Sequence, residues 1–242
     1  MLSANTNIVF LLDVDNTLLD NDGFSVDLDD RLREDFGESE RGRYRDIYSE
    51  LRNRVGFADY LGALQEFRRS VDPRAEEKLL GMSRFLLDYP FADRVYPSVH
   101  EVIEHLDGIG ATAILSDGDI VFQPRKIQRS GLWDLVRGRV MVTLHKERRI
   151  DDAQRRFPAD HYVMVDDKPK LLAAIKDQLG DKATTVFVRQ GHYADEVDVT
   201  DQPGIDITIE SIGELLNVDR GRLLPRSASA ASNRATIPTE AT

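Results

Sequence analysis

The feature that most constrains this chain is an alternation of two textures. Apolar runs such as "NIVFLLD", "ATAILSDGD", "RVMVTLH", "HYVMVDD" and "ATTVFVR" read as strands covered on both faces. Helical segments separate them: Val99, Val102, Ile103 and Leu106 mark one helix face, "QPRKIQRSGL" closes on Gly131, and "KPKLLAAIKDQLG" ends in glycine. Strands and helices alternating at these lengths make βαβ units. The pattern predicts an α/β fold, a doubly wound parallel sheet with helices on both faces. "IDITIE" and "SIGELLNV" extend it by one strand and one helix.

The rhythm is interrupted once. Between Asp20 and Asp88, "LDDRLREDFG", "RYRDIYSELRNRVGFADYLGALQEFRRSV" and "RAEEKLLGMSRFLLDYP" carry apolar residues at helical spacing among many charges, with no strand alternation. A helical insertion over 21–90 follows, leaving 1–20 and 91–217 to the sheet. Residues 218–242 are rich in Ser, Ala, Thr and Pro, which predicts a disordered tail. At 242 residues the chain is long enough to bury a real core. It has no cysteine, which excludes disulfides, thiolate catalysis and cysteine zinc sites. A net charge of -11 argues against nonspecific nucleic-acid binding. No apolar run is long enough to span a bilayer, and "MLSANTN" lacks the basic and apolar regions of a secretory signal, so a cytoplasmic location is expected.

In an open parallel sheet, ligands bind beyond the carboxyl ends of the strands, so the residues just after each apolar run carry the information. After the first run come Asp13, Asp15 and Thr17; after the second, Ser116, Asp117 and Gly118; near the end of the third, Lys146; after the fourth, Asp166 and Asp167. Singly, such residues start loops and cap helices. Jointly, strand after strand delivers carboxylates, a hydroxyl and an ammonium to one rim.

"DVDNT", "ILSDGD", Lys146 and "VMVDD" resemble, in order, the four motifs of the haloacid dehalogenase-like hydrolase superfamily. The resemblance implies a Rossmann-like core and makes the helical insertion a cap. It implies hydrolysis of a small phosphate monoester through an aspartyl phosphate, with Asp13 as nucleophile and Asp15 as general acid and base. Ser116 and Lys146, with backbone N–H groups near Asp117 and Gly118, would bind the phosphoryl oxygens. Mg2+ would be held by the side chains of Asp13 and Asp166 and the backbone carbonyl of Asp15. Thr17 would orient the first loop, and Asp167 would support the metal or Lys146. Val165 stands where the family often has a small residue or glycine.

Other candidates read as structural. Lys126, inside a polar helix, reads as a solvated charge, and Lys168, beside the acidic pair and before Pro169, is a further lysine candidate for the site. Arg41, Arg43, Arg45, Arg52 and Arg54 read as a solvated face paired with acids such as Asp46 and Glu50. Phe57, Tyr60, Leu61 and Leu64 read as the insertion's own core, and His145 and His161 lack metal-ligand spacing. The same residues leave other functions open: a phosphomutase or other phosphoryl transferase, a silent binding module, or a metal-free dehalogenase. Dehalogenases of the superfamily lack an acid at the position of Asp15, because a departing halide needs no proton. A receiver domain would be about half this length and without the insertion.

Overall fold

The computed structural model describes residues 7–194 and 203–224. Six strands, β1 (Ile8–Leu12), β2 (Ala111–Asp117), β3 (Val140–Thr143), β4 (His161–Asp166), β5 (Ala183–Val188) and β6 (Ile207–Ile209), form one sheet in the order β3-β2-β1-β4-β5-β6. Every pairing is parallel. From β1 the chain steps outward through β2 to β3, then returns to lay β4 on the other side of β1. The crevice between β1 and β4 is therefore the topological switch point, where loops leave in opposite directions and open a cleft.

Both sheet faces are covered, as the unbroken apolar runs require. Side-chain alternation sends Ile8, Phe10 and Leu12 of β1 to one face and Val9 and Leu11 to the other. The first face packs on α5 (Val99–Asp107), α6 (Phe122–Arg129) and α7 (Leu132–Leu135) through Val102, Leu106, Ile127 and Leu132. The second packs on α8 (Ile150–Arg156) and α9 (Pro169–Leu179) through Ile150, Ala153, Leu172 and Ile175.

The insertion between β1 and β2 holds α1 (Asn21–Phe36), α2 (Glu38–Val55), α3 (Tyr60–Phe67) and α4 (Glu76–Asp88). Its boundaries follow local chemistry. The Asp20 carboxylate accepts from the Gly23 N–H at 2.8 Å to start α1, and Asp59 does the same for Gly62 at 2.7 Å to start α3. Gly56 ends α2 in the left-handed region at φ 84°, and a Cβ there would sit 2.5 Å from the His145 ring, so only glycine lets this turn close on the loop after β3. Tyr60 and Leu64 are buried and Leu61 is partly so, as their spacing predicts. These helices share the core of the sheet's first face, because Phe24, Leu28, Leu32, Tyr60 and Leu86 belong to the same apolar cluster as Phe10. Among the described residues no helix is long and apolar enough to cross a membrane.

Two C-terminal expectations are corrected. "SIGELLNV" forms a 3-10 stretch, Ile212–Asn217, in place of an α-helix, with Ile212 and Leu215 buried on the i, i+3 spacing that such a turn aligns. Within the expected tail, Asp219 caps a short helix, α10 (Arg220–Leu223), and Leu223 is fully buried in the main cluster. Leu223, with Val218 and Leu224 packed partly buried against the same cluster, ties this polar segment to the core. Residues 225–242 of that expected tail lie outside the described residues. Leu223→Ala is predicted to lower unfolding stability by roughly 2–4 kcal/mol. Urea denaturation measures it, and a loss under about 0.5 kcal/mol, the size of an ordinary surface substitution, would return the segment to the tail.

Candidate active site

Asp13 and Asp166 meet because β1 and β4 are neighbours in register. Leu12 pairs with Val165, and the Asp13 N–H donates to the Val165 carbonyl at 3.0 Å, so the next residue of each strand emerges at the same level. Val165 itself is buried in the core, and its bulk does not disturb the turn. Lys146 arrives from the loop after β3, at the start of a 3-10 turn (Lys146–Arg148) whose first N–H donates to Asp117 Oδ1 at 2.8 Å. Its ammonium donates to Asp13 Oδ1, lies 2.6 Å from Asp166 Oδ2 and reaches the Leu115 carbonyl at 3.4 Å. Asp13, Lys146 and Asp166 are all buried.

The charge balance is acidic. Burial alone would push Lys146 toward neutrality, but the carboxylates of Asp13, Asp166 and Asp117 outweigh it and hold the ammonium well above the usual lysine range. Burial raises Asp166 and Asp117, and pushes Asp167 up to about 9, with the charges of Asp166 and Asp13 adding to the effect on Asp167. Among the described residues neither Asp167 oxygen has a hydrogen-bond partner, and Asp13 Oδ2 is equally orphaned. Buried polar atoms without partners are rare in a native fold and call for an explanation. Asp13, Asp166 and Asp167 each offer an oxygen within 4.8 Å of the others. Three buried carboxylates, with orphaned oxygens on Asp13 and Asp167, fit a hard divalent cation that takes oxygen ligands. Asp167, expected only to support the site, belongs to this cluster, whereas the Asp15 carboxylate lies outside it.

Asp15 is turned by a different set of neighbours. Asn16 adopts φ 59° and bends the chain, and its side chain accepts from the N–H groups of Asn21 and Asp22 at the start of α1. Asp15 Oδ1 then accepts from Lys126 Nζ at 2.8 Å, and Oδ2 is 3.3 Å from Gln123 Nε2, which also donates to Ser116 Oγ at 3.0 Å. Lys126 is therefore not a solvated charge. It is fully buried, because Phe122 and Ile127 fix the inward face of α6 and Lys126 falls one turn after Phe122. Gln123, on the same face, was also missed. The Gly118 N–H, expected to face a phosphate, is taken by the Thr143 carbonyl at 3.1 Å; Gly118 is needed because a Cβ there would meet the Gln123 side chain at 2.7 Å. Thr17 is buried in the first loop, with its N–H on the Val14 carbonyl at 3.3 Å.

A cavity of about 270 Å³ opens above these groups. Asp15, Asp117, Asp167 and Lys168 line its floor and Tyr48, Arg52 and Phe57 of the insertion its roof, with His192 and Tyr193 at the side. Lys168 thus enters the site, held charged against burial by Asp13 and Asp167. Arg41, Arg45 and Arg43 are paired as expected of a solvated face, although with Glu38, Asp29 and Glu40 rather than Asp46 or Glu50, and Arg54 pairs with Glu66. Arg52 departs from that reading: it lines the cavity and donates to the Tyr193 hydroxyl at 3.1 Å. Phe57 likewise lines the cavity rather than the insertion's core. His161 is buried against Thr184 far from these residues, and His145 packs beside Gly56.

Comparison with solved structures gives a consistent picture. A haloacid dehalogenase-like hydrolase from Burkholderia xenovorans LB400 is similar at 52% identity and a TM-score of 0.83, over 91% of this chain and 100% of that one. The haloacid dehalogenase-type hydrolase YfnB from Bacillus subtilis, bound to magnesium, matches at 15% identity and TM-score 0.62, over 88% and 98% of the two chains. L-2-haloacid dehalogenase from Xanthobacter autotrophicus matches at 19% and 0.56, over 90% and 99%. The last two likenesses are of fold alone. No protein-family model and no curated protein matches the chain.

A raised Asp167 value has a fixed sign of consequence. The folded protein holds a proton that the unfolded chain releases in the ordinary carboxylate range, so this group's contribution to stability falls as pH rises from about 4 toward about 9. A divalent cation needs the carboxylate, so its binding at pH near 7 is predicted to release about one proton. Titration calorimetry in buffers of differing ionisation enthalpy measures this, and Asp167→Asn is predicted to lower the release. Proton-neutral Mg2+ binding in the unaltered protein would contradict it.

Proposed function

This chain belongs to the haloacid dehalogenase-like hydrolase family, and on that premise we propose that it hydrolyses a small phosphate monoester with Mg2+ through an aspartyl phosphate on Asp13. The observation that carries this reading is the joint presence of a buried nucleophile candidate, a cluster of open carboxylate oxygens beside it, and a second carboxylate, Asp15, at the cavity floor. Asp13, Asp166 and Asp167 would hold the cation, with the Asp15 backbone carbonyl as a further ligand. When bound, Mg2+ supplies positive charge that lets an anionic ester approach acidic groups and stabilises charge on the transferring phosphoryl oxygens.

The chain's own residues divide the work. One carboxylate oxygen of Asp13 forms the bond to phosphorus as the ester P–O bond breaks, and the other would face the cation. Asp15 gives its proton to the departing alkoxide, so an alcohol leaves and an aspartyl phosphate remains. Asp15, now a carboxylate, takes a proton from water as that water attacks phosphorus; the P–O bond to Asp13 breaks, and inorganic phosphate and the original carboxylate result. Lys146 balances the charge that builds on the phosphoryl oxygens, and Ser116, fixed by Gln123, offers its hydroxyl to them. Ordering by Lys146 on both Asp13 and Asp166 keeps the nucleophile aimed with little reorganisation.

The cavity's volume and its cationic groups, Lys168 and Arg52, support a small phosphorylated metabolite as substrate. Displacement of halide from carbon would need no second carboxylate at Asp15, which favours phosphorus chemistry over dehalogenation. Steady-state assays with p-nitrophenyl phosphate and Mg2+ are predicted to show turnover that Asp13→Asn lowers by about 10³-fold or more. Turnover unchanged by Asp13→Asn, or halide release from a haloacid in its place, would overturn the reading.

A further inference from the structure

Lys126 is a charged side chain that the hydrolytic sequence leaves without a task. Its ammonium is wholly buried, and fully buried lysines are rare unless paired. It lies 2.8 Å from Asp15 Oδ1 and 2.9 Å from Asn21 Oδ1, and among the described residues Asp15 is its only carboxylate partner. The rings of Phe24, Tyr60, Phe91 and Phe122 surround it at 5.4 to 6.0 Å from nitrogen to centroid. Such a cage excludes water and attracts the cation to the ring faces, so the ammonium has one place to sit. Its walls come from different segments: Phe24 and Asn21 from α1, Tyr60 from α3, Phe91 from the turn before α5, and Phe122 from α6.

We propose that Lys126 is a positioning residue for the reaction: by engaging Asp15 Oδ1 from a rigid cage it leaves Oδ2 as the oxygen that exchanges a proton with the leaving group and with water. The contact on Oδ2 is the longer one, 3.3 Å from Gln123, and Asp15 reaches the cavity wall. Gln123 then ties the orientation of Asp15 to Ser116, so the acid and the phosphate-binding hydroxyl are set relative to each other. Because Phe24, Asn21 and Tyr60 belong to the insertion, the cage is complete only when the insertion is docked. The proposal rests on the hydrolase reading above.

The test is Lys126→Met, which removes the ammonium and keeps the apolar stem. A positioning role predicts a loss that depends on the leaving group: kcat/KM for an alkyl phosphate such as glycerol phosphate, whose alkoxide must be protonated, falls by about 100-fold. For p-nitrophenyl phosphate, whose phenolate departs without a proton, the fall is within about fivefold, well below the contribution of general acid catalysis. In an Asp15→Asn background Lys126→Met costs nothing further. Equal losses on both esters, or an undiminished loss in the Asp15→Asn background, would overturn the proposal. If Lys126→Met does not fold, Lys126→Gln, neutral and one bond too short to reach Asp15, carries the same expectations. A crystal structure of the folded variant is read without any activity: the Asp15 carboxylate is expected to leave its place beside Gln123. A carboxylate that stays there overturns the positioning role, whereas an unaltered protein that hydrolyses neither ester overturns the phosphatase reading instead.

Discussion

The site depends on one buried ammonium. Lys146 sits between Asp13 and Asp166, at the ends of the two central strands, where bare carboxylates in a dry environment would repel each other and resist ionisation. Removing one partner of such a buried set typically costs about 3–5 kcal/mol, because the remaining charge is left uncompensated. The lysine satisfies only part of the acid. Among the described residues Asp167 and one oxygen of Asp13 stay without partners, and these open oxygens suit a divalent cation at the floor of the cavity. The sheet supplies the precision, since Asp13 and Asp166 follow paired positions on adjacent strands and are fixed by the ladder itself.

A second buried ammonium organises the other half of the site. Lys126 and Lys146 hold Asp15 and Asp13 respectively, so the two acids two residues apart are pulled to different places by different parts of the chain. Just after Asp15 the chain bends at Asn16, whose side chain also starts α1. The insertion thus does more than roof the cavity with Tyr48, Arg52 and Phe57: it contributes walls to the cage around Lys126. Aromatic packing among Phe24, Tyr60, Tyr89, Phe91 and Phe122 fuses this layer to the sheet's first face.

What the sequence made legible followed from periodicity and from the strand-end rule. The strands from β1 to β5 are unbroken apolar runs, and Asp13, Ser116, Lys146 and Asp166 stand where a parallel sheet delivers its ligands. What it hid were contacts between distant segments. Lys126 and Gln123 lie in a stretch so polar that local composition reads it as solvent-facing; the signal was the i, i+4 relation of Lys126 to Phe122, which places it on the buried face. Arg52 shares its helix with arginines that pair with acids of the insertion, and only the fold shows it turned to the cavity. The resemblance implies a phosphate-facing N–H near Gly118, yet the β3 edge claims the Gly118 N–H through Thr143. Leu223 shows the limit of composition, since a buried leucine flanked by Val218 and Leu224 anchors a segment whose overall composition reads as a tail.

The central claim is that acids from separate strands converge on a cation site at the β1/β4 crevice. It is tested most directly by anomalous diffraction from crystals of this protein soaked in Mn2+. The account predicts one strong peak at about 2.0–2.2 Å from carboxylate oxygens of Asp13 and Asp166 or Asp167, the bond length that small hard divalent cations require. A map without a peak among those three carboxylates, at a concentration that fills other sites, would contradict it.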